Sequence, residues 1–504
     1  MKSDFKINMQ IYYRGNMFLL ILLLLSLNGF SQNTIHFSNK FDIESHSSFV
    51  KPEYKDFFQV YDTVERDEGY VKRKLLYDDF ISINDNDFTL VINPLVNFTV
   101  GKSSLKDPIL YRNTRAVSVA GRIGNTVSFY SSFYENQLTA PCFIDRYVSL
   151  YGVLPGETNP KGFGDGGYDF GTVYGGVVWQ GNQGSPFTFR LAFDEMFIGK
   201  GYRSLLLSNN GFPYYFVSAQ YDSKKFYYLY SIASMQNPNM RNVMDIEGSH
   251  LNTSAYHKKT LAFHYLGYRV GDNISLGLFQ ATVFKVSDSS SVAFRAEWLN
   301  PVIISGPLCY GLEGDNNVIL GAEASARVSN FLFYTQLVVD DIDFALGFSK
   351  QELAYQVGIH YLIGGIHFNG EYNRVNKGVY SHPQPLQSYT NFNQPLGIQS
   401  GQDLDELIIR LEYYYKRFYS EVIIINQHKR AASLRNVFRG QDNFIVDESE
   451  SLMAIRSEIS YIINRKTNLS IYTGIQSIRG IDEESYYYCG LRTSLRKISW
   501  DIFE

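Results

Sequence analysis

The chain has 504 residues and a formal net charge of −4. Its mean hydropathy of −0.18 is too polar for a bundle of membrane helices, and it has no long basic stripe of the kind that holds nucleic acid. Aromatic residues make up 16%, with 39 Tyr and 37 Phe against 3 Trp, and Tyr suits the boundary between lipid and water. The cysteines are Cys142, Cys309 and Cys489, with no C-x-x-C spacing, so neither a disulfide framework nor a structural zinc site is expected.

Residues 1–31 have the order of a secretory signal. Lys2, Lys6 and Arg14 form a basic region, residues 18–25 are an unbroken apolar run, and Gly29 and Ser31 are small where a signal peptidase inspects the chain. The apolar run is too short to span a bilayer comfortably. The mature chain is therefore expected to begin at Gln32, with no Cys there to carry a lipid. Losing Lys2, Lys6 and Arg14 together with Asp4 takes the net charge from −4 to two units more negative. Residues 32–84 are polar, with Lys51, Glu53, Lys55, Asp56, Glu65, Arg66 and Asp67, and read as a short periplasmic segment, helical around 61–79.

From 85 to 504 the pattern becomes alternation, the period-two mark of strands. Leu407, Ile409, Leu411, Tyr413 and Tyr415 share one face, and Arg410 and Glu412 lie on the other. Met453, Ile455, Ile459 and Tyr461 oppose Arg456, Glu458 and Ser460 in the same way, as Leu469, Ile471 and Ile475 oppose Ser470, Tyr472 and Gln476. A charge in mid-strand is costly against lipid and acceptable against a wet lumen. A soluble sandwich would also alternate, but strands of about ten residues are the length that crosses a bilayer at a tilt.

Tight turn signals fall at 124–125, 181–184, 222–225, 271–273, 329–330, 364–365, 416–417 and 464–467. Longer connections alternate with them, near 137–167, 195–213, 235–254, 286–316, 341–350, 375–403, 429–449 and 479–483. Short turns at one end and long loops at the other are the topology of outer-membrane barrels, and the punctuation from Phe88 onward yields about eighteen strands. The end of the chain, 498–504, has the composition of a closing strand, although Glu504 follows the aromatic Phe503.

One connection stands out. Residues 197–213 carry Gly199 and Gly201, then Tyr202, Arg203 and Ser204, three leucines (205–207), Ser208 and Asn209. Ser204 is placed to cap a helical turn through the leucines, and those leucines should fold back onto something apolar rather than face water. The spacing fits neither a phosphate loop nor the dinucleotide pattern.

This motif resembles the signature of the RemB family of gliding motility proteins and, more distantly, of the Wzi family of capsule assembly proteins. Lys72 to Leu75 with Asn93-Pro94-Leu95, Glu297 to Pro301, and Tyr380-Ser381-His382 with Tyr389 and Asn393 to Leu396 extend the likeness from about residue 70 to the end. The resemblance implies an outer-membrane barrel, eighteen-stranded in Wzi, with a small helical periplasmic part. It also implies a lectin-like anchor for capsule on the Wzi side, or surface adhesion in gliding cells on the RemB side.

The remaining chemistry is sparse. Seven of the histidines (His250, His257, His264, His360, His367, His382 and His428) show no ligand spacing, and no cofactor is expected. Asp340-Asp341-Ile342-Asp343 and Asp403-Leu404-Asp405-Glu406 offer oxygen ligands for Ca²⁺ or are solvated strand rims. No nucleophile–base arrangement suggests an enzyme. The long loops are rich in Tyr, Asn, Gln and Gly, a surface suited to sugars or an ordinary packed plug. Gly199, Gly201, Tyr202, Arg203, Ser204, Ser208, Asn209, Tyr380, His382 and Tyr389 are the candidate binding residues. For Arg203, the two readings are recognition of an acidic glycan and pairing with a lumenal acid such as Glu412.

The expectation is therefore an all-β, antiparallel transmembrane barrel in the outer membrane, non-enzymatic. Its expected partners are lipid, lipopolysaccharide, surface polysaccharide and other surface or gliding-machinery proteins. A diffusion channel is the alternative.

Overall fold

The computed structural model describes residues 69–107, 109–181, 185–237, 257–285, 300, 302–303, 316–340, 352–382, 385–430, 433–436, 441–445, 450–480 and 483–493. The expected signal, residues 32–68, most of the 297–301 motif, Cys309, Asp341, Asp343, His250 and the expected closing strand at 498–504 lie outside these residues.

The alternating segments form strands that pair antiparallel, each with the next in the chain. In order they are Phe88–Ser103, Leu110–Ile123, Val127–Leu138, Gly167–Gln180, Phe187–Asp194, Tyr214–Asp222, Phe226–Asn237, His257–Val270 and Ile274–Lys285. Asn316–Val328, Phe331–Asp340, Leu353–Ile363, Ile366–Val375, Leu404–Tyr415, Phe418–Lys429, Glu450–Asn464, Leu469–Arg479 and Glu484–Arg492 follow. The last strand pairs with the first, Arg492 opposite Asn97, and this closes an 18-stranded barrel. Closure leaves no unpaired edge, the condition for crossing lipid with strands. A short arm, Ile81–Asp85, adds to the start of the first barrel strand.

Short turns gather at one end, as the punctuation predicts. Gly364 and Gly365 both have positive φ, the mirror-image turn that matches strand twist and that glycine enters without strain. Above the turns the alternation sorts by environment. Leu407, Ile409 and Leu411 are exposed on the outer wall, while Glu406, Ile408 and Glu412 are buried inside. Directly opposed aromatic pairs ring the outer wall near the short turns: Trp179 with Phe189, Phe187 with Tyr221, Phe226 with Tyr268, Phe331 with Tyr361 and Phe418 with Tyr461. Their ring centroids lie 4.5–5.5 Å apart. Such a belt beneath an apolar band is the exterior of an outer-membrane β-barrel, and the outer membrane is its location.

A helix forms at Tyr70–Leu76, inside the 61–79 stretch read as helical. It lies at the short-turn end, where the Asn464 amide donates to the carbonyls of Lys74 and Asp78 at 3.2 and 3.1 Å. A second helix, Cys142–Tyr151, sits within a long connection. Its first amides, of Cys142 and Phe143, donate to the Glu484 carboxylate at 3.1 and 3.3 Å.

Candidate functional site: a plug of three interlocked loops

The 195–213 connection does not project outward; it turns into the lumen. Gly199, at φ +146°, makes the turn, and the loop then closes on itself, the Ile198 amide donating to the Leu207 carbonyl at 2.9 Å. The helical turn expected over 205–207 is absent, because Leu207 bridges back to Ile198 instead. Ser204 still serves those amides: its hydroxyl oxygen accepts from Leu206 at 3.1 Å and Leu207 at 3.3 Å while donating to the Ile198 carbonyl. Leu205, Leu206 and Leu207 are wholly buried against Phe263, Tyr265, Phe279 and Ile319 of the inner wall. The leucines thus find the apolar surface their composition demanded.

The tip of the loop descends toward the short turns. There the Tyr202 and Arg203 amides donate to Glu371 at 2.7 and 3.1 Å, and His360 Nε2 donates to the Lys200 carbonyl at 2.9 Å. A Cβ on Gly201 would collide with the Glu371 carboxylate, so glycine lets that acid reach the backbone. The Arg203 guanidinium, 1% exposed, lies 3.3 Å from Glu406, donates to Gln399 at 2.8 Å and faces the Tyr202 ring at 5.1 Å. The lumenal acid is therefore Glu406 rather than Glu412. Glu412, further down the same inner face, is engaged by Arg410 at 3.0 Å and His367 at 2.7 Å.

The 376–403 loop packs across the first. Tyr380 and Tyr389 donate their hydroxyls to the carbonyls of Leu205 and Leu206 at 2.7 and 2.8 Å. The Ser208 amide donates to Leu396, and Asn391 to the Phe212 carbonyl. Burial pushes both phenols above their ordinary pKa, so they remain hydrogen-bond donors at any physiological pH. The wall fixes this loop through buried Lys259, whose Nζ donates to the Ser388 carbonyl at 2.6 Å and to Thr390 at 2.9 Å. The third loop carries the Cys142–Tyr151 helix. Phe143, Ile144, Val153 and Leu154 pack on Ile408, Ile423 and Ile478, and Gln394 joins it to the second loop through Gly156 and Glu157 at 2.7 and 3.0 Å.

Of the candidate residues, Gly199, Gly201, Arg203, Ser204, Ser208, Tyr380 and Tyr389 are buried in this plug. Tyr202, Asn209 and His382 are half-buried, and the last two stand toward the long-loop rim. The acidic runs are engaged by protein groups: Asp340 accepts from the Tyr380 amide at 2.6 Å, and Asp405 pairs with Arg374 and Arg430. Sequence analysis weighed His360 and His367 only as metal ligands and did not single out Glu371, Gln336 or Lys259. One signal was available: the tight turn at 364–365 sets His360 and His367 diagonally on one face of a hairpin, with His360 opposite Asn369.

Toward the short turns the adjoining wall stays wet. Arg410, Glu421 and Arg456 form a ladder, Arg492 pairs with Glu458 over the Tyr472 ring, and Arg456 and Arg492 keep 21% and 32% of their side-chain surface although they point inward.

No family profile and no curated protein matches the sequence. Among solved structures, the chain is similar in fold to Wzi of Escherichia coli, described as an outer-membrane protein involved in group 1 capsule assembly and a carbohydrate-binding β-barrel. The identity is 12%, with 82% of this chain and 85% of that one covered and a TM-score of 0.53. Pseudomonas aeruginosa OprD aligns at 11% identity over 83% and 100% of the two chains, and OccK8 (OprE) at 12% over 83% and 99%, each with a TM-score of 0.43. The resemblance to RemB finds no counterpart in these comparisons. At such identities the likeness is one of architecture: an outer-membrane β-barrel whose fold is shared with Wzi.

Proposed function

We propose that this is a non-enzymatic outer-membrane barrel that binds cell-surface polysaccharide, and that its loops are a receptor surface rather than the rim of a pore. The observation that carries this reading is the plug: three long loops interlock inside the barrel through buried hydrogen bonds and leucine packing. A diffusion channel gains nothing from an obstruction fastened by so many buried contacts. The fold shared with a carbohydrate-binding barrel supports the same reading, whereas adhesion in gliding cells rests on the RemB resemblance alone. Within this proposal the buried motif residues set the shape of the plug. Its half-buried rim, with Asn209, Phe212 and His382, supplies aromatic faces and amides to sugars. Residues 1–31 are the removed signal, and 32–84 the periplasmic segment.

The test has two arms. The purified barrel should retain the organism's own capsule or lipopolysaccharide glycan on a binding array and show little steady conductance in a planar bilayer. Deleting residues 205–210 should open it. A large stable conductance in the unaltered protein, with no glycan retained, would replace this reading with the channel.

A further inference from the structure

A hydrogen-bond chain runs from the tip of the plug into the wall. His360 Nε2 meets the Lys200 carbonyl at 2.9 Å, His360 Nδ1 meets His367 Nε2 at 3.0 Å, and His367 Nδ1 meets Glu412 Oε2 at 2.7 Å. The two rings stack with centroids 5.2 Å apart, and Tyr334 stacks on the far side of His360 at 5.0 Å. A peptide carbonyl only accepts, so His360 Nε2 carries a hydrogen, and the Nδ1 of a neutral ring is then an acceptor. His367 must donate to it through Nε2. Glu412 Oε1 already receives Arg410 at 3.0 Å and the Tyr419 and Tyr414 hydroxyls at 2.9 and 3.3 Å, the setting of an ionised carboxylate. Its other oxygen therefore accepts as well, and His367 Nδ1 carries a hydrogen too. The three contacts need three hydrogens, and two neutral imidazoles supply two.

Among the described residues, the guanidiniums of Arg203, Arg410 and Arg456 and the carboxyl groups of Glu371, Glu406, Glu412 and Glu421 are packed about the hydrogen-bond chain. Glu371 accepts from the amides of Tyr202 and Arg203, the Tyr334 hydroxyl and Asn373, all of them neutral donors. A charged imidazole at His367 would sit 2.7 Å from the Glu412 carboxylate, and a buried ion without such a counter-charge is heavily penalised.

We infer that His360 and His367 together hold one proton beyond their neutral complement, and that this proton latches the Lys200 tip of the plug to the wall strands. Removing it breaks one of the three hydrogen bonds and takes away the positive charge beside the Glu412 carboxylate. The seat is thus intact while the proton is bound and weakens as pH rises past its release. The ion pairs from Glu412 through Arg410 to Glu421 and Arg456 run on from the latch toward the wet side of the lumen.

The experiment is nitrogen-15 NMR of the full barrel in detergent with labelled histidine, at about pH 8, where exposed histidines are neutral. The unaltered protein should show an imidazolium pair of nitrogens that is lost in His367→Gln. Where that variant does not assemble, Glu412→Gln, which removes the balancing charge, should lose the same signal. Uniformly neutral histidines in the unaltered barrel, or a signal that survives both substitutions, would overturn the inference. In a planar bilayer, alkaline titration should produce a conductance step in the unaltered protein and none in His367→Gln. Absence of any step in the unaltered protein would remove the latch role. Neither readout depends on glycan binding, so failure of that proposal is distinguishable from failure of this one.

Discussion

Arg203→Ala is the sharpest perturbation of the plug. It deletes the guanidinium 3.3 Å from Glu406 and leaves that carboxylate fully buried, with the Asn373 amide at 3.1 Å as its remaining donor. Breaking a buried ion pair from one side costs about 3–5 kcal/mol, most of it the unpaired charge left behind. At about 1.4 kcal/mol per decade, the ratio of seated to unseated plug should fall by about two to three and a half orders of magnitude. The barrel itself should survive, because its strand pairing does not involve Arg203. The assay is planar-bilayer recording together with the temperature at which the folded band disappears on a gel. Open events should become frequent, and that temperature should fall. Adding Glu406→Gln should recover more than half of the loss, since the amide carries no charge to strand. A Arg203→Ala variant that stays closed and melts like the parent, yet loses glycan, would refute the structural role and return Arg203 to direct recognition.

Two further substitutions probe the loops separately. Tyr389→Phe and Tyr380→Phe each leave a buried leucine carbonyl without its hydroxyl donor and should cost about 1–2 kcal/mol, read as a lower transition temperature in the same gel assay with unaltered strand content. Gly199→Ala places a side chain at φ +146°, with its Cβ only 2.5 Å from Gln336 Nε2. It should weaken the seat by about 1–3 kcal/mol, seen as more frequent open events than in a control Gly124→Ala, whose Cβ meets nothing within 4 Å.

The barrel was legible in the sequence because its determinants are local and repeated. Alternation in 404–415 and 450–464 places Leu407 and Met453 outside and Glu412 and Glu458 inside, since strand period and bilayer leave no other sorting. Turn signals such as Gly364-Gly365 mark the short end within a residue or two. The inward fold of the 197–213 loop was legible in outline, because three successive leucines between strands need an apolar cover. Their partners were not. Glu406 rather than Glu412 faces Arg203, and Lys259 and Gln336 hold the loops, because these contacts join residues more than a hundred positions apart whose pairing depends on barrel shear and loop descent, not on spacing. The His360–His367–Glu412 chain shows the division most clearly. The hairpin register, a local property, brings the two histidines together, but only barrel closure around the plug sets a carbonyl at one end and a carboxylate at the other. That enclosure excludes water, so each hydrogen bond and charge must be answered by protein, and in this way the tertiary structure decides what the sequence leaves open.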